Sequence, residues 1–435
     1  MSEFSISAAW ILQEGRNEAD ATLSSLLIEV ADRFVTEYVD RKRATSKNIQ
    51  IPAYYLAEWI AENWWPLLWE PRKTEDEGED AAFLSRHSLL AAQHGYALPK
   101  LKIVPLGKSI ELSASPREAE LAHVKFVNRA QILCPRELVE EQLRKFVQAV
   151  VDRLHAARVT GTWLQDTWTL ISETDEDEAQ FCRFAGALGL SPYDIDDGIA
   201  GIIERLQPLL GDRSLLDLCL AASPEQFPAV AKVAEQALEI VRNAPTSTLS
   251  PLESIAPPKE ILSLPAHRRG TQAAHILRKR LGISDTDLRG ASRIFDIFNI
   301  DTATQTVSAK TVSDVTNEEA AVTGAVVRDN NVMRVGLLQQ KETKRRFAGA
   351  RAIFSAWTAE GPTERRLLTS ADTRDQQANR AFAAELTAPR ALIEKRAKGG
   401  RLSQSGIFDL AAELQISADV VAKQAHNNNI RVARF

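Results

Sequence analysis

The chain has 435 residues, of which 44% are hydrophobic and 26% charged; this balance is typical of globular proteins and excludes wholesale disorder. At ~150 residues per domain the length predicts about three domains, and without any run of ~18 apolar residues no transmembrane helix is expected. The net charge of −5 is unevenly distributed: residues 267–435 carry 27 Lys and Arg against 18 Asp and Glu, a net charge of +9, which leaves −14 on residues 1–266.

Two further features bear on the cellular compartment. The segment MSEFSISAAWILQEG lacks the basic and apolar regions of a secretion signal. The three cysteines, Cys134, Cys182 and Cys219, are odd in number and widely spaced, which argues against a disulfide framework and against a cysteine-based zinc site. We therefore expect a cytoplasmic protein.

Residues 1–158 are expected to form a small α+β domain. The segments LKIVPLGKSIELSA and VKFVNRAQILC are typical of strand pairs. Residues 136–157 have helical periodicity and predict an amphipathic helix. Its apolar side would consist of Leu138, Leu143, Phe146, Val150 and Leu154.

Four tryptophans lie close together in this domain, in the segment IPAYYLAEWIAENWWPLLWEP. They are Trp59, Trp64, Trp65 and Trp69. Such a cluster can stack on bases or enclose a ligand, but Trp59 follows Tyr55 by one helical turn, and Pro66 is expected to end that helix. Aromatic residues at this spacing usually pack in a core, and the acidic surroundings disfavour nucleic acid. We therefore predict that the tryptophans are core residues.

Residues 159–243 have helical periodicity interrupted by turn signals, which predicts a helical middle domain. Within it, residues 181–206 have the rhythm of a helix-turn-helix motif with its turn at Gly189. The second helix of that motif would carry three aspartates and Glu204 against a single arginine, Arg205. This is the wrong sign of charge for a helix that faces phosphates, so we do not expect the element to bind DNA.

Residues 244–266 contain five prolines. Proline lacks a backbone N–H and restricts the residue before it, so that this density is incompatible with a helix interior or a central strand. The segment predicts a semi-extended linker between domains.

Beyond the linker, residues 267–435 contain four blocks and a short strand region, TGAVVRDNNVMRVGLL, after the first block. The blocks are GTQAAHILRKRLGISDTDLRGASRIFDIFNID, KETKRRFAGARAIFSAW, RDQQANRAFAAELTAPRALIEKR and GIFDLAAELQISADVVAKQAHNNNIRV. In this order they resemble the ImmA/IrrE family of zinc metallopeptidases, and the string from Ala378 to Pro389 is the most specific part. The resemblance does not extend to residues 1–240. It implies a zincin-like C-terminal domain that ends in a helix-turn-helix-like segment.

In that family, a helix that begins Arg-Phe-x-x-Ala continues into His-Glu-x-x-His, in which two histidines bind Zn²⁺ and the glutamate activates the bound water. The lead-in is present here as Arg346-Phe347-Ala348-Gly349-Ala350. The resemblance then places Arg351 at the first histidine, Ala352 at the glutamate and Ser355 at the second histidine. These three residues supply neither imidazole nor carboxylate, so the motif is degenerate.

Asp375 is the only carboxylate near the third-ligand position that the resemblance implies. A guanidinium does not coordinate zinc, and the nearest histidines, His275 and His426, stand alone. We therefore expect no catalytic residues, no metal and no cofactor at this site. One hypothesis is that Arg351 fills the vacated pocket by pairing with Asp375.

The helix predicted over residues 343–357 should bury one face. That face would consist of Phe347, Ala350, Phe354 and Trp357. The basic residues of the segment are interpreted as a solvated face. The candidates for contact with a partner are Arg345, Arg346, Arg351 and Asn379.

We thus expect an α+β protein that is predominantly helical and multi-domain. The resemblance implies a non-catalytic pseudoenzyme that regulates or binds another protein, in a mobile-element, toxin–antitoxin, stress-response or phage-defence setting. Its partner would be a repressor or the product of a neighbouring gene, and no membrane contact is expected. Two alternatives stay open: an active metallopeptidase or hydrolase with displaced ligands, and a regulator that binds nucleic acid through the basic C-terminal half.

Overall fold

The computed structural model describes residues 3–11, 17–72, 80–253, 264–301, 320–397 and 399–432. It is a mixed α+β structure with 53% helix and 21% strand in several small sheets. The chain divides into two compact units, Met1–Ala200 and Gly201–Phe435, which we call the N-terminal and C-terminal units. Helices expected between residues 159 and 243 are distributed over both units. In the part of the chain that the structure describes, every helix is too short or too polar to cross a membrane.

The described residues of the N-terminal unit form three antiparallel sheets, with strand orders β1-β2-β3, β5-β4-β10-β9 and β11-β8-β7; β6 also pairs with β2. The strands are β1 (Phe4–Trp10), β2 (Leu23–Val30), β3 (Arg33–Phe34), β4 (Tyr38–Asp40), β5 (Thr45–Ser46), β6 (Ile49–Pro52), β7 (Lys100–Leu106), β8 (Ser109–Ser115), β9 (Arg117–Ala119), β10 (Val124–Phe126) and β11 (Ala130–Pro135).

The helices of this unit pack against those sheets around one core. They are α1 (Glu18–Ala21), α2 (Ala53–Glu62), α3 (Trp64–Trp69), α4 (Ala81–His87), α5 (Arg136–Ala156), α6 (Trp163–Glu173) and α7 (Glu176–Leu188). A further helix, α8 (Asp197–Ala221), spans the division between the units and contains a break at Gly211, whose φ is +73°. The predicted amphipathic helix is α5, and four of its five predicted apolar residues are buried, with Leu138 half-buried.

One of the two predicted strand pairs is confirmed and the other is wrong. Strands β7 and β8 form the expected hairpin, with Ile103 opposite Leu112. Strands β10 and β11 belong to different sheets. The physical reason lies between them, where the Asn128 amide donates to Phe34 O at 2.8 Å and to Glu37 Oε2 at 2.7 Å. These bonds tie the connection to a distant segment instead of closing a hairpin turn.

The tryptophans are core residues, as predicted, with one exception. Trp59, Trp64 and Trp65 are at most 8% exposed, whereas Trp69 is half-buried beneath the Arg136 guanidinium, 3.7 Å from the ring centre. Pro66 does not end the first helix. It lies in the first turn of α3, where a backbone N–H would have no acceptor within the helix.

The C-terminal unit contains a four-stranded antiparallel sheet of order β12-β14-β13-β15. Its strands are β12 (Thr246–Thr248), β13 (Val322–Asp329), β14 (Val332–Leu337) and β15 (Thr363–Thr369); a short parallel pair follows, β16 (Arg401–Leu402) and β17 (Arg431–Val432). The helices after α8 are α9 (Phe227–Asn243), α10 (Ser250–Glu253), α11 (Ala266–Arg280), α12 (Gly290–Ile297), α13 (Glu342–Trp357), α14 (Arg374–Thr387), α15 (Arg390–Arg396), α16 (Gln404–Leu414) and α17 (Ala418–Asn427).

Helices cover both faces of the four-stranded sheet. A Cβ on Gly336 of β14 would lie 2.8 Å from Val241 Cγ2 of α9, so this residue faces α9. Met333 and Leu337 share the core cluster of α13, and residues of odd and even number in a strand point to opposite faces. The sheet is therefore enclosed between α9 and α13.

Part of the segment predicted as a linker belongs to this sheet. Thr246–Thr248 pairs with β14, and Leu249 N donates to Asn331 O at 2.8 Å. Pro251 lies in the first turn of a short helix, a position that proline tolerates. Residues 254–263 of the predicted linker lie outside the described residues.

Candidate site around Arg351

The candidate site is built from facing sides of α13 and α14. The two helices are held together by aromatic packing, with the Phe354 and Phe382 rings 5.1 Å apart. From Ala348 to Trp357 every residue of α13 is buried. The prediction that only one face would be buried was wrong, because α13 lies between the sheet and α14 and so has no solvent side over this length.

Arg351 is 3% exposed and uses all three of its guanidinium nitrogens. Its Nε donates to Asn379 Oδ1 at 2.8 Å, and its Nη1 donates to Thr323 Oγ1 at 3.1 Å. Its Nη2 donates to Thr369 O at 2.7 Å and to Gln376 Oε1 at 2.6 Å. A buried guanidinium is tolerated only when its N–H groups find acceptors, and these four contacts supply them.

Ser355, four residues after Arg351, contacts the same residue of α14. Asn379 Nδ2 donates to Ser355 Oγ at 2.5 Å, while Asn379 Oδ1 accepts from Arg351. The two positions that the family resemblance assigns to histidines therefore converge on one side chain of the facing helix. This is the arrangement that residues at i and i+4 on one helix face allow.

Gln376 connects Arg351 to a buried carboxylate. Its Oε1 accepts from Arg351, and its Nε2 donates to Asp217 Oδ2 at 2.7 Å and to Leu367 O at 2.8 Å. Asp217 lies on α8 and is 6% exposed. The amide of Gln376 thus bridges the Arg351 guanidinium and the Asp217 carboxyl group, which do not bond to each other directly.

Burial shifts the pKa values of both charged groups. Desolvation lowers the pKa of Arg351 to about 9. The positive charge of Arg380 adds to this shift, and the charge of Asp217 opposes it. Desolvation raises the pKa of Asp217, against hydrogen bonds from Gln376 and Thr373 and the charges of Arg213 and Arg366. At neutral pH the guanidinium is protonated, and the site contains a fixed cation.

The residues of this site do not fit a zinc ion. The groups around Arg351 are two amides, hydroxyls and a backbone carbonyl, and the guanidinium would repel a second cation. Among the described residues there is no group of three or more His, Cys, Asp or Glu that could hold a metal. No step of water activation follows from this geometry.

Asp375 does not pair with Arg351, and that hypothesis was wrong. Asp375 Oδ1 accepts from Arg269 Nη1 at 3.0 Å, and its Oδ2 bonds to Arg213. Neighbouring residues of a helix point in directions about 100° apart, whereas residues three apart share a face. Gln376 and Asn379 therefore face Arg351, and Asp375 points elsewhere.

The four candidates for partner contact are buried, at 3–5% exposure. Arg345 donates to the backbone oxygens of Gln339 and Gln340, and Arg346 donates to Ser292 Oγ at 2.8 Å. The interpretation of these arginines as part of a solvated face was wrong, because long side chains can bury their stems and still satisfy their charged ends. Arg345, Arg346, Arg351 and Asn379 therefore make hydrogen bonds inside the C-terminal unit and do not form an exposed surface.

Several residues of the site could not be identified from the sequence. Thr323 and Thr369 contribute from strands, where nothing distinguishes them from other strand residues. Asp217 had a signal: it is a single acid within the apolar run LLDLCLA, where a carboxylate on the buried side needs a partner. That signal identifies a buried acid without naming its partner.

Comparisons with known proteins gave no match to the chain among family models, curated proteins or solved structures.

Proposed function

We propose that the C-terminal unit is a peptidase-like domain of ImmA/IrrE type without its zinc centre, and that it binds a protein partner without cleaving it. The observation that carries this proposal is the convergence of Arg351 and Ser355 on Asn379. Two positions four residues apart on α13 point at one residue of α14, as two ligands and a supporting residue would. Arg351 supplies a permanent charge at the point where a metal would supply one.

A partner needs an exposed surface, and the terminal helix pair offers one. Phe408 of α16 is 56% exposed, while Ile407, Leu410 and Leu414 of the same helix are buried against α17 and its neighbours. Large exposed aromatic side chains are frequent energetic centres of protein interfaces. The proposed partner is a repressor or the product of a neighbouring gene, in a mobile-element, toxin–antitoxin, stress-response or phage-defence setting.

We also propose a cytoplasmic location. All three cysteines are buried thiols in the structure. Desolvation raises the pKa values of Cys134 and Cys182, the latter to about 12. Thiols held in this protonated state have low reactivity, and a reducing compartment preserves them.

The experiment that tests the proposal mixes the purified full chain with a helix-turn-helix repressor encoded by a neighbouring gene. We expect co-elution in size-exclusion chromatography, an intact repressor by mass spectrometry, and little zinc in the purified chain. Phe408→Ser should weaken the complex about tenfold, whereas Leu288→Ser, at a 39% exposed site of the same unit, should not. Time-dependent cleavage of the repressor together with about one zinc per chain would contradict the proposal.

A further inference from the structure

The N-terminal unit contains an open cleft of about 430 Å³. Residues of β2 and β6 line it from one sheet and residues of β4, β5 and β10 from another. Asn48, Ala122 and the segment 95–97 complete the lining. The volume is within the range of about 300–1,000 Å³ that is typical of small-molecule sites.

The lining carries no formal charge. All twelve residues that line the cleft are apolar, glycine, or polar and uncharged. A charged ligand would lose hydration here without gaining an opposite charge. The cleft therefore favours an uncharged ligand.

The lining offers hydrogen-bonding groups that are not used within the protein. Asn48 Nδ2 donates to Ser25 Oγ at 3.1 Å, which leaves the amide oxygen of Asn48 to accept from a ligand. Over the described parts of the chain, the Gln50 amide and the Tyr38 hydroxyl have no hydrogen-bond partner. An amide presents a donor and an acceptor side by side, which matches the edge of a heterocyclic base.

One residue of the lining, Tyr96, belongs to a group of stacked aromatic rings. The Tyr55 ring stacks on His94, with centres 4.6 Å apart and planes inclined by 12°, and on Tyr96, with centres 6.1 Å apart and planes inclined by 26°. Tyr96 lines the cleft and is 39% exposed. A ring fixed in this way offers a flat surface on which a planar ligand can stack.

We propose that this cleft binds an uncharged nucleoside, with its base stacked on Tyr96 and the base edge read by the amides of Gln50 and Asn48. Size, absence of charge, paired amide donors and acceptors, and a fixed aromatic face together favour this class of ligand. The inference is independent of the function proposed for the C-terminal unit.

The test titrates the full chain with adenosine, guanosine, cytidine and uridine up to about 5 mM, followed by saturation-transfer NMR and calorimetry. Methyl glucoside and the corresponding nucleoside monophosphates are titrated in parallel. We expect saturable binding of at least one nucleoside, weaker binding of its monophosphate, and none of the sugar. Gln50→Leu and Tyr96→Leu should each weaken binding about tenfold or more.

Matched controls separate the cleft from the rest of the surface. Gln131→Leu changes an exposed strand glutamine, and Tyr193→Leu changes a tyrosine of similar exposure, 43%; both residues lie outside the cleft and should leave the affinity unchanged. The proposal fails if no nucleoside binds, if the control variants weaken binding as much as the cleft variants, or if the sugar or the monophosphate binds more tightly than the nucleoside.

Discussion

The guanidinium of Arg351 donates a 2.8 Å hydrogen bond to the side-chain oxygen of Asn379, and this contact joins α13 to α14 inside the C-terminal unit. Both residues are 3% exposed. In a dry interior, removal of a donor leaves its acceptors unsatisfied and costs more than the net value of the bonds themselves. The first prediction follows from this asymmetry.

Arg351→Met should lower the free energy of unfolding by about 3–5 kcal/mol, because it leaves the acceptors of its four hydrogen bonds without a donor in the protein interior. Urea denaturation measures the change. Lys344→Met, at a half-buried position of the same helix, should cost less than about 1 kcal/mol. Equal effects of the two substitutions would show that the buried network does not stabilise the fold.

Asp217 should make stability depend on pH. Burial raises the pKa of its carboxyl above the unfolded value, which is about 3.9. Between these two values the folded state binds more protons than the unfolded state, so the free energy of unfolding falls as pH rises through that window.

Asp217→Asn should make this fall smaller by the contribution of Asp217, because an amide does not titrate and can still accept from Gln376. Urea unfolding of both chains, from about pH 4 upwards, tests the prediction. Asp212→Asn, at an exposed position of the same helix, should keep the wild-type dependence. Parallel curves for wild type and Asp217→Asn would contradict the prediction.

The proposed peptidase-type architecture predicts that ligands introduced at these positions create a metal site. In the triple variant Arg351→His, Ser355→His and Gln376→Glu, two imidazoles four residues apart on α13 face a carboxylate on α14. We expect it to bind about one Co²⁺ or Zn²⁺ per chain with the absorption of tetrahedral Co²⁺.

The matched control keeps Arg351→His and Gln376→Glu but carries Ser355→Ala, and so has one ligand fewer. Its affinity for Co²⁺ should be much lower, and circular dichroism should show that both variants are folded. If the two variants bind the metal equally, or neither binds it, the site does not have the geometry of a degenerate zinc centre.

Gly189 should be intolerant of a side chain for two separate reasons. It ends α7 with φ of +82°, and a Cβ there would collide with the carboxylate of Glu70. Glu70 accepts from Arg86 Nε and Nη2 at 2.7 Å each, so a shift of this carboxylate disrupts a partly buried ion pair.

Gly161 provides the control, since its φ is +74° and no atom lies within 4 Å of a Cβ built there. Both Gly189→Ala and Gly161→Ala incur the left-handed backbone cost of about 1–2 kcal/mol. Only Gly189→Ala should cost about 1–3 kcal/mol more through crowding. Thermal unfolding of the two variants measures the difference, and equal values would refute the contribution of Glu70.

Local elements were predicted well where a periodic pattern was long. The predicted helix over 136–157 is α5, which spans Arg136–Ala156, and the turn predicted at Gly189 corresponds to a residue of positive φ. Glycine in a sequence indicates a backbone position of positive φ, because it alone enters the left-handed region at no steric cost. The strands β10 and β11 were also predicted correctly as strands, but they do not pair with each other. The connection between them is held by Asn128, which bonds to a segment almost a hundred residues earlier.

The candidate site was predicted only in part. The sequence singled out Arg351, Ser355 and Asn379, and the structure brings these three together. The sequence also suggested Asp375 as a partner of Arg351, but this carboxylate bonds to Arg213 and Arg269. Helical geometry could have favoured Gln376, because it shares a face with Asn379, whereas Asp217 lies on a helix that no local pattern relates to α14.

The sequence by itself determined the helices over 136–157 and 343–357, and it determined that the positions 351, 352 and 355 lack zinc ligands, since both follow from residue identity and spacing. Only the tertiary structure decided that Arg351 is buried and which acceptors surround it. Burial and partner choice depend on side chains that are distant along the chain and become neighbours when helices and strands pack. A periodic pattern records which face of an element is apolar, and it contains no information on which other element that face will meet.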